Sequence, residues 1–330
     1  MEGGCVYRAP APPTVPDPGL VARLAVLTDG ASCFNRISKV WEPFDPQGWA
    51  ERYVRAADAD SANFPKPVPL GEVLELLENL PERAPTPPVS HPTKPMEEFL
   101  FMKRKNLAVH TVNGWTFKAG STLKSEIEFW EKFSPDEEAL EAIKAGWKGL
   151  HQVDIAPAWF KSHEQSPDAY TAWCREHLAM WQAGVVAPIT KEWVRMFGPP
   201  DVLIPHFIVD EVTKKRVIAD ARYPNVAQGA PWFSLSSALA WASQLLPEEF
   251  WAKQDLKAGW HHILLHVSQQ KLFGYIHEGQ IWLYQVLAFG DSTAPYIFQK
   301  TMGGLQRYLT SIGWKRFTRY LDDVANALEK

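Results

Sequence analysis

The sequence predicts an α+β fold, in which helical segments come first and short strands follow. Apolar residues make up 46% of the 330 residues, which is enough to bury a sizeable core. Between residues 134 and 184 the apolar residues recur at helical spacing, whereas short β-like runs separated by polar turns follow Pro205. Helices and strands that are segregated along the chain in this way are typical of the α+β class.

Proline clusters dominate residues 1–95, as in APAPPTVPDP near the start and APTPPVSHPTKP further on. Such segments favour extended polyproline II and resist packing into sheets. We therefore predict a loosely ordered, Pro-rich extension over residues 1–95, interrupted by a short helix in GEVLELLENL at 71–80. The apolar face of this helix is predicted to consist of Val73, Leu76, Leu77 and Leu80.

Residues 96–165 are predicted to form a helical lead-in segment. In SEIEFWEKFSPDEEALEAIKAGW, Ser134 can cap a helix and Glu137 follows three residues later, as in a capping box. A second helix is predicted over about 168–184, and Gly184 is a suitable residue to end it. Its buried stripe is expected to consist of Tyr170, Trp173, Leu178 and Trp181.

Beyond Pro205 the predicted elements are mainly strands. The runs HFIVD and KRVIAD are separated by a polar turn and predict a hairpin. Further strands are predicted at 251–257, 271–276 and 280–286, followed by a helix over about 294–310 and by two strands around the Asp322-Asp323 pair.

Composition narrows the possible functions. The three cysteines lack any CxxC pairing, which argues against a disulfide framework and a zinc ribbon. No apolar run approaches the roughly 18 residues needed to cross a bilayer, and the start has no signal-like apolar region, so we expect an intracellular, cytoplasmic or nuclear protein without a membrane partner. The net charge of -4 comes from residues 1–200, so any nucleic acid is expected to bind residues 201–330.

Acidic residues in two separate β-like runs are the strongest candidates for chemistry. Asp322 and Asp323 interrupt the runs of RFTRYLDDVANAL, and Asp255 ends the run FWAKQD. Taken singly, an Asp-Asp turn or a capping Asp explains each of them. Together they fit two-metal phosphoryl transfer, which needs carboxylates from separate strands to converge on two Mg²⁺ ions about 3.5–4 Å apart.

Three segments in this order, with a fourth upstream, carry a resemblance to a known family. DLKAGWHHI from Asp255, LAFGDSTAPYIF from Leu287 and YLDD from Tyr320 resemble polymerase motifs A, B and C of reverse transcriptases from gypsy-type and, more closely, DIRS-type retrotransposons. KRVIADARYPN at 215–225 is similar to the fingers motif of the same enzymes. The resemblance covers about residues 125–330 and implies a right-hand polymerase whose fingers and palm lie in residues 166–330.

The resemblance implies an RNA-directed DNA polymerase, a nucleotidyltransferase, with two Mg²⁺ ions and Mn²⁺ as a possible substitute. The implied metal ligands are the catalytic residues Asp255, Asp322 and Asp323, together with the backbone carbonyl of Leu256. The implied partners are an RNA or DNA template with its primer and dNTPs.

The same resemblance implies a set of residues that bind the incoming nucleotide. Arg216 would contact the triphosphate because a guanidinium matches phosphate oxygens, Trp260 would stand where the family has its aromatic steric gate, and Phe289 with Gly290 would form the floor under the nucleotide. Lys215 and Arg222 complete the implied set.

Some residues depart from the family pattern. The family commonly carries Leu-Pro-Phe-Gly-Leu at motif B, whereas Ala288 and Asp291 replace the Pro and the second Leu here. An acid beside the nucleotide site is unexpected for the family. Asp210 and Glu211 occupy the place of the usual basic pair in the fingers. The sequence stops seven residues past Asp323, so we expect either a fragment of a longer polyprotein that carries the thumb and ribonuclease H segments, or a decayed copy.

Three other interpretations remain open at this point. His261, His262 and His266 suggest a zinc site, although no spaced cysteine or acid completes a tetrahedral set. A catalytically inactive nucleic-acid-binding remnant of a retroelement polyprotein would retain the palm fold. A viral RNA-directed RNA polymerase shares the palm chemistry, but its members generally have a small or polar residue where Trp260 stands.

Overall fold

The computed structural model describes residues 15–59, 64–86, 121–134, 136–210, 215–229, 231–233, 243, 250–256, 259–314, 317–320 and 323–328. Helices and sheets are both present, and the predicted α+β class is confirmed. The helices are α1 (Pro18–Leu27), α2 (Pro46–Asp58), α3 (Leu70–Glu78), α4 (Ser121–Ser125), α5 (Ile127–Phe133), α6 (Glu137–Ala145), α7 (Pro167–Ala183), α8 (Lys191–Phe197), α9 (Arg222–Asn225), α10 (Val267–Gln270) and α11 (Ala294–Ser311), with a 3₁₀ turn at Gly259–His262.

The strands are short and form four sheets within the described residues. They are β1 (Ser32–Phe34), β2 (Trp41–Pro43), β3 (Ala158–Trp159), β4 (Val186–Pro188), β5 (Val202–Leu203), β6 (His206–Asp210), β7 (Lys215–Ala219), β8 (Phe250–Asp255), β9 (Gly274–His277), β10 (Gln280–Tyr284), β11 (Phe317–Tyr320) and β12 (Asp323–Leu328). The sheets are β1-β2, β3-β5-β9-β10-β4, β11-β12-β8 and β6-β7. No helix in the described part of the chain is both long and apolar enough to cross a bilayer.

The N-terminal helices pack into a core that they share with the five-stranded sheet. Helices α1 to α3 bury Leu24, Tyr53 and Leu74 in one cluster with Leu203 of β5 and Ile281 of β10. The predicted helix over 71–80 is confirmed as α3. The expectation of loose order over residues 1–95 is wrong for 15–59 and 64–86, because the apolar faces of these helices find a complementary surface on a sheet that is distant in sequence.

A buried group of charges also ties this N-terminal part to the rest of the protein. The Arg36 guanidinium lies 2.5 Å from the Asp201 carboxylate and donates to the Ser268 carbonyl at 2.9 Å. Asp201 also accepts from the Trp49 indole at 3.2 Å and lies 3.8 Å from the Lys271 ammonium. Since all of these side chains are largely buried, each charge depends on its partners for stabilisation.

The lead-in segment packs α6 against α11. Asp136, and not Ser134, caps α6, because its carboxylate accepts the Ala139 N–H at 3.0 Å. Ser134 instead ends α5, so the predicted capping residue is wrong by two positions. The Lys300 ammonium of α11 lies 2.9 Å from Asp136 and 2.6 Å from Glu138, which ties the start of α6 to α11.

Helix α7 ends at Gly184 in the left-handed conformation, as predicted. Its buried face is only partly as predicted. Trp173 is buried, but Tyr170 and Leu178 are 44% and 39% exposed, and His177 takes a place in the core instead. Aromatic and histidine rings from β9 and β10 fill the space beside α7, so a polar side chain with a hydrogen-bonding partner is stable there.

Three buried histidines lie together between α7 and the sheet. The rings of His177 and His277 have centroids 4.2 Å apart, and His206 packs 4.8 Å from Trp173. Each ring has a hydrogen-bonding partner: His177 Nδ1 pairs with the Tyr275 hydroxyl at 2.8 Å, His277 Nδ1 accepts from the Trp173 indole at 2.8 Å, and His206 Nε2 pairs with the Tyr284 hydroxyl at 3.1 Å. Burial lowers the pKa of His177 and of His206 to about 3.

We therefore predict that the protein loses stability as the pH falls below about 6.5, the ordinary histidine pKa in the unfolded chain. Below pH 6.5 these histidines bind protons in the unfolded chain, whereas buried His177 and His206 stay neutral in the folded protein. Above pH 6.5 the two histidines therefore cost no stability, and the free energy of unfolding falls as the pH drops from 6.5 to about 3. At pH 5 the loss is about 2 kcal/mol for each histidine. Urea unfolding at pH 7.5 and pH 5 measures it. His206→Gln should flatten the pH dependence, and an unchanged slope would contradict this account.

Candidate functional site

The backbone brings two of the three predicted catalytic acids to opposed positions. Strands β12 and β8 are antiparallel, and their register pairs Asp323 with Asp255. Directly opposed residues in such a ladder have Cα atoms about 4.5–5.5 Å apart. Asp322 lies outside the described residues, and it precedes Asp323 directly in the sequence. Two acidic residues that are 68 positions apart in the chain therefore become neighbours at one end of a three-stranded sheet.

Leu256, whose carbonyl is a predicted metal ligand, follows Asp255 at the end of β8. Its carbonyl oxygen accepts the Gly259 N–H at 3.1 Å, which begins the 3₁₀ turn. A carbonyl oxygen has two lone pairs, so this hydrogen bond leaves one of them for another partner. The position is compatible with the predicted role.

The 3₁₀ turn presents Trp260 beside the predicted nucleotide floor. The Trp260 ring stacks on Phe298 of α11 with centroids 5.2 Å apart, and Phe289 lies 6.2 Å from it. His261 adds an edge contact to Phe289 at 5.4 Å. Burial lowers the pKa of His261 to about 4, so this ring is neutral at pH 7. The predicted gate and floor residues thus form one aromatic surface, in which Phe289 remains 57% exposed.

A sharp turn at Gly290 joins this surface to the fingers hairpin. Gly290 has a φ of +105°, and a Cβ there would lie 2.9 Å from the Ala219 carbonyl oxygen at the end of β7, so a side chain is excluded. The Asn225 side chain of α9 donates to the Gly290 carbonyl at 2.8 Å and accepts the Ser292 N–H at 3.0 Å. Asn225 therefore holds both sides of the turn.

A cavity of about 330 Å³ lies where the hairpin meets this turn. Its lining includes Phe207, Ile218, Asp220, Arg222, Asn225 and Gly290. The predicted pairing of HFIVD with KRVIAD is confirmed by the register, which runs from His206 opposite Ala219 to Asp210 opposite Lys215. The structure therefore brings residues of the predicted fingers and palm motifs together around one cavity.

The predicted triphosphate-binding cations differ in their surroundings. Lys215 and Arg216 begin β7 and are exposed. Arg222 is already engaged, because its guanidinium donates to both oxygens of the Asp220 carboxylate at 2.8 and 2.6 Å. Hydrogen bonding to Arg222 lowers the pKa of Asp220, which stays ionised. Arg222 thus lines the cavity with its guanidinium paired to Asp220, and its role in nucleotide binding stays a prediction.

Asp291 does not lie beside the nucleotide site as an exposed acid. Its side chain is buried, and its carboxylate accepts the Thr293 N–H and the Thr293 hydroxyl, each at 2.8 Å. The side-chain amides of Gln228 and Gln269 each approach it to 3.3 Å. The carboxylate faces the protein interior, so Asp291 does not place an exposed charge beside the predicted nucleotide site.

The zinc interpretation has no support in the described part of the chain. No group of three potential ligands contains His261, His262 or His266, and His266 instead accepts the Ser268 N–H at the start of α10. One other group, Cys174 with His277 and Glu278, comes within ligand distance. His277 Nδ1 accepts from Trp173, however, so the other ring nitrogen carries the proton and cannot bind a metal without losing it.

Sequence reasoning missed Asn225 and Asp291 as organising residues. Asn225 stands in the fingers motif, but nothing local indicates that its amide spans a turn 65 residues away. Asp291 was recognised only as a departure from a pattern, and its burial depends on donors from two distant segments, which carry Gln228 and Gln269.

Comparison with known proteins gives structural likenesses only. No protein-family model matches the chain, and no curated protein matches it in sequence. The chain is similar to native prototype foamy virus protease-reverse transcriptase, with a TM-score of 0.47 and 15% identity over 88% of this chain and 31% of that one. It is also similar to foamy viral protease-reverse transcriptase in complex with dsDNA, with a TM-score of 0.48 and 13% identity over 82% and 48%. The chain spans less than half the length of either protein.

Proposed function

We propose that this chain carries the fingers and palm of an RNA-directed DNA polymerase from a retrotransposon of DIRS or gypsy type. The observation that carries the proposal is the opposed register of Asp255 and Asp323, two acids from separate sequence motifs. Like charges opposed across a ladder destabilise a sheet unless a cation lies between them. A sheet that keeps both acids is best explained by a site for cations.

The donor set fits magnesium. Carboxylates and a backbone carbonyl are hard oxygen ligands, which Mg²⁺ prefers and Mn²⁺ also accepts. Asp255, Asp322 and Asp323 would hold two such ions, with the Leu256 carbonyl as a further ligand. Bound ions would lower the pKa of the primer 3′-hydroxyl and neutralise charge on the triphosphate.

The remaining residues would bind and orient the incoming dNTP. Lys215 and Arg216 on the exposed start of β7 would meet the phosphates, since a guanidinium pairs bidentately with phosphate oxygens. Phe289 would lie under the nucleotide on the turn at Gly290. Trp260, held by its stack on Phe298, would exclude a 2′-hydroxyl and so select deoxyribose.

The substrates would be an RNA or DNA template with its primer. The thumb that grips such a duplex and the ribonuclease H segment would come from the parent polyprotein. A catalytically inactive nucleic-acid-binding remnant is the rival function, and its specific support is the pairing of Asp210 with Lys215 in the β6–β7 hairpin, which places an acid next to a phosphate-binding cation.

Primer extension on an RNA template with Mg²⁺ and dNTPs tests the proposal. We would compare this chain, a C-terminally extended chain from the parent reading frame and the double variant Asp322→Asn, Asp323→Asn of each. Extension that disappears in the double variant is the expected result. Template binding without extension by either form would favour the inactive remnant.

A further inference from the structure

Hydrogen bonds on the buried side of the Gly290 turn all converge on one carboxylate. The Thr293 hydroxyl accepts from the Trp147 indole at 2.9 Å and donates to its nearer acceptor, the Asp291 carboxylate, at 2.8 Å. Gln269 uses its amide nitrogen for Gln228 at 2.9 Å and for Asp291 at 3.3 Å. Asp291 thus accepts directly from Thr293, Gln228 and Gln269, which lie in three segments of the chain.

His151 fixes which way the side-chain amides of this hydrogen-bond network are oriented. The ring nitrogen Nε2 of His151 lies 2.7 Å from the Gln269 side-chain oxygen, which can only accept, so Nε2 carries the proton. Burial lowers the pKa of His151 to about 4, which keeps the ring neutral. Every amide in the chain from His151 through Gln269 to Gln228 is therefore oriented with its N–H toward Asp291.

An apolar residue at position 291 could not hold these donors. A buried donor without an acceptor is destabilising, and Asp291 accepts four hydrogen bonds from buried donors. The opposite side of the same turn is held by Asn225, through Gly290 and Ser292. The turn that carries Phe289 is consequently fixed from both sides, by an amide on its cavity side and by a carboxylate on its buried side.

We propose that Asp291 is a positioning residue that fixes the Phe289–Gly290 turn for the incoming nucleotide. This inference rests on the proposed function, since it assigns the turn to nucleotide binding. Asp291 touches no substrate in this role. It acts by holding the first turn of α11 and the preceding loop in one arrangement. Phe289 then contacts the base without a further loss of conformational entropy in the turn.

The test combines a kinetic readout with one that needs no activity. Asp291→Asn keeps the size of the side chain but turns an amide donor toward the donors of Gln228 or Gln269. In the extended chain we expect the KM for dNTP to rise about tenfold with kcat within about threefold, because the loss falls on nucleotide binding. In the 330-residue chain, amide exchange should accelerate in residues 287–296 and stay unchanged in α7. Asp168→Asn, an exposed change in α7, is the matched control.

A swapped pair separates positioning from simple destabilisation. Asp291→Asn combined with Gln269→Glu moves the carboxylate to the adjacent partner, 3.3 Å away, where it still accepts from His151 and can accept from the new amide at position 291. We expect the double variant to bring the KM for dNTP and the protection from amide exchange most of the way back to those of the unsubstituted chain. The double variant also tests the inference if the single variant does not fold.

Exchange and KM that are unchanged in Asp291→Asn would overturn the inference. So would exchange that accelerates equally throughout the core, with no rescue by the swapped pair. If no form extends a primer, the proposed function fails, and the exchange data still decide whether Asp291 fixes the turn.

Discussion

Asp255→Asn in the extended chain is expected to lower the rate of primer extension on the order of 1,000-fold, about 4 kcal/mol in activation free energy. The substitution preserves the size of the side chain but removes one of the charges that would hold the catalytic ions. We expect a large effect because Asp255 is one of two acids opposed in the register, and its substitution leaves Asp323 as the one acid of that pair.

The same substitution has a consequence that does not depend on activity. Without magnesium, removing one of two opposed like charges should stabilise the fold by about 0.2–1 kcal/mol. The unsubstituted chain should gain thermal stability when Mg²⁺ is added, whereas Asp255→Asn should not. Thermal unfolding with and without Mg²⁺ measures both effects, with Asp168→Asn as the exposed control. Extension at the normal rate, or a magnesium-dependent gain that survives in Asp255→Asn, would contradict the assignment of these carboxylates.

Asp201→Ala is expected to lower the free energy of unfolding by about 3–5 kcal/mol. Burial opposes ionisation of Asp201, but Lys271 and Arg36 nonetheless lower its pKa, so the group is a carboxylate between two buried cations. Its removal leaves both cations without their anionic partner and the Trp49 indole without its acceptor. Because Arg36 and Trp49 belong to the N-terminal part, proteolysis there should accelerate as well.

Urea unfolding of Asp201→Ala measures this effect, and Asp154→Asn provides a matched control. Asp154 also pairs with an arginine, Arg52, but both side chains are about half exposed, so the loss should stay below about 1 kcal/mol. Equal losses in the two variants would show that the buried group contributes no more than a surface ion pair.

The local sequence pattern predicted an element correctly where the structure of that element depends mainly on its own residues. The apolar spacing in GEVLELLENL predicted α3, because a helix with one apolar stripe buries that stripe wherever it packs. The polar turn between HFIVD and KRVIAD predicted the β6–β7 hairpin, since neighbouring strands pair locally. Gly184 predicted the end of α7, because only the backbone of that residue is involved.

Predictions failed where a partner from elsewhere in the chain decides the outcome. Proline content indicated loose order at the N-terminus, but Leu203 and Ile281 of the central sheet complete the core of its helices. The stripe of α7 was assigned from hydrophobicity, yet Tyr275 makes burial of His177 favourable by hydrogen bonding to its ring. Both errors arise because burial is a property of the surroundings as well as of the residue.

The sequence by itself predicted the fold class, the elements from α6 and α7 to the strands around Asp322-Asp323 in outline, and the candidate acids Asp255, Asp322 and Asp323, because these follow from local spacing and from motif order. Only the tertiary structure decided that Asp255 is opposed to Asp323 and that Asp291 turns inward, away from the cavity. The physical reason is that strand register and hydrogen-bond satisfaction depend on groups many residues apart, and only the folded chain brings these groups within a few ångströms of one another.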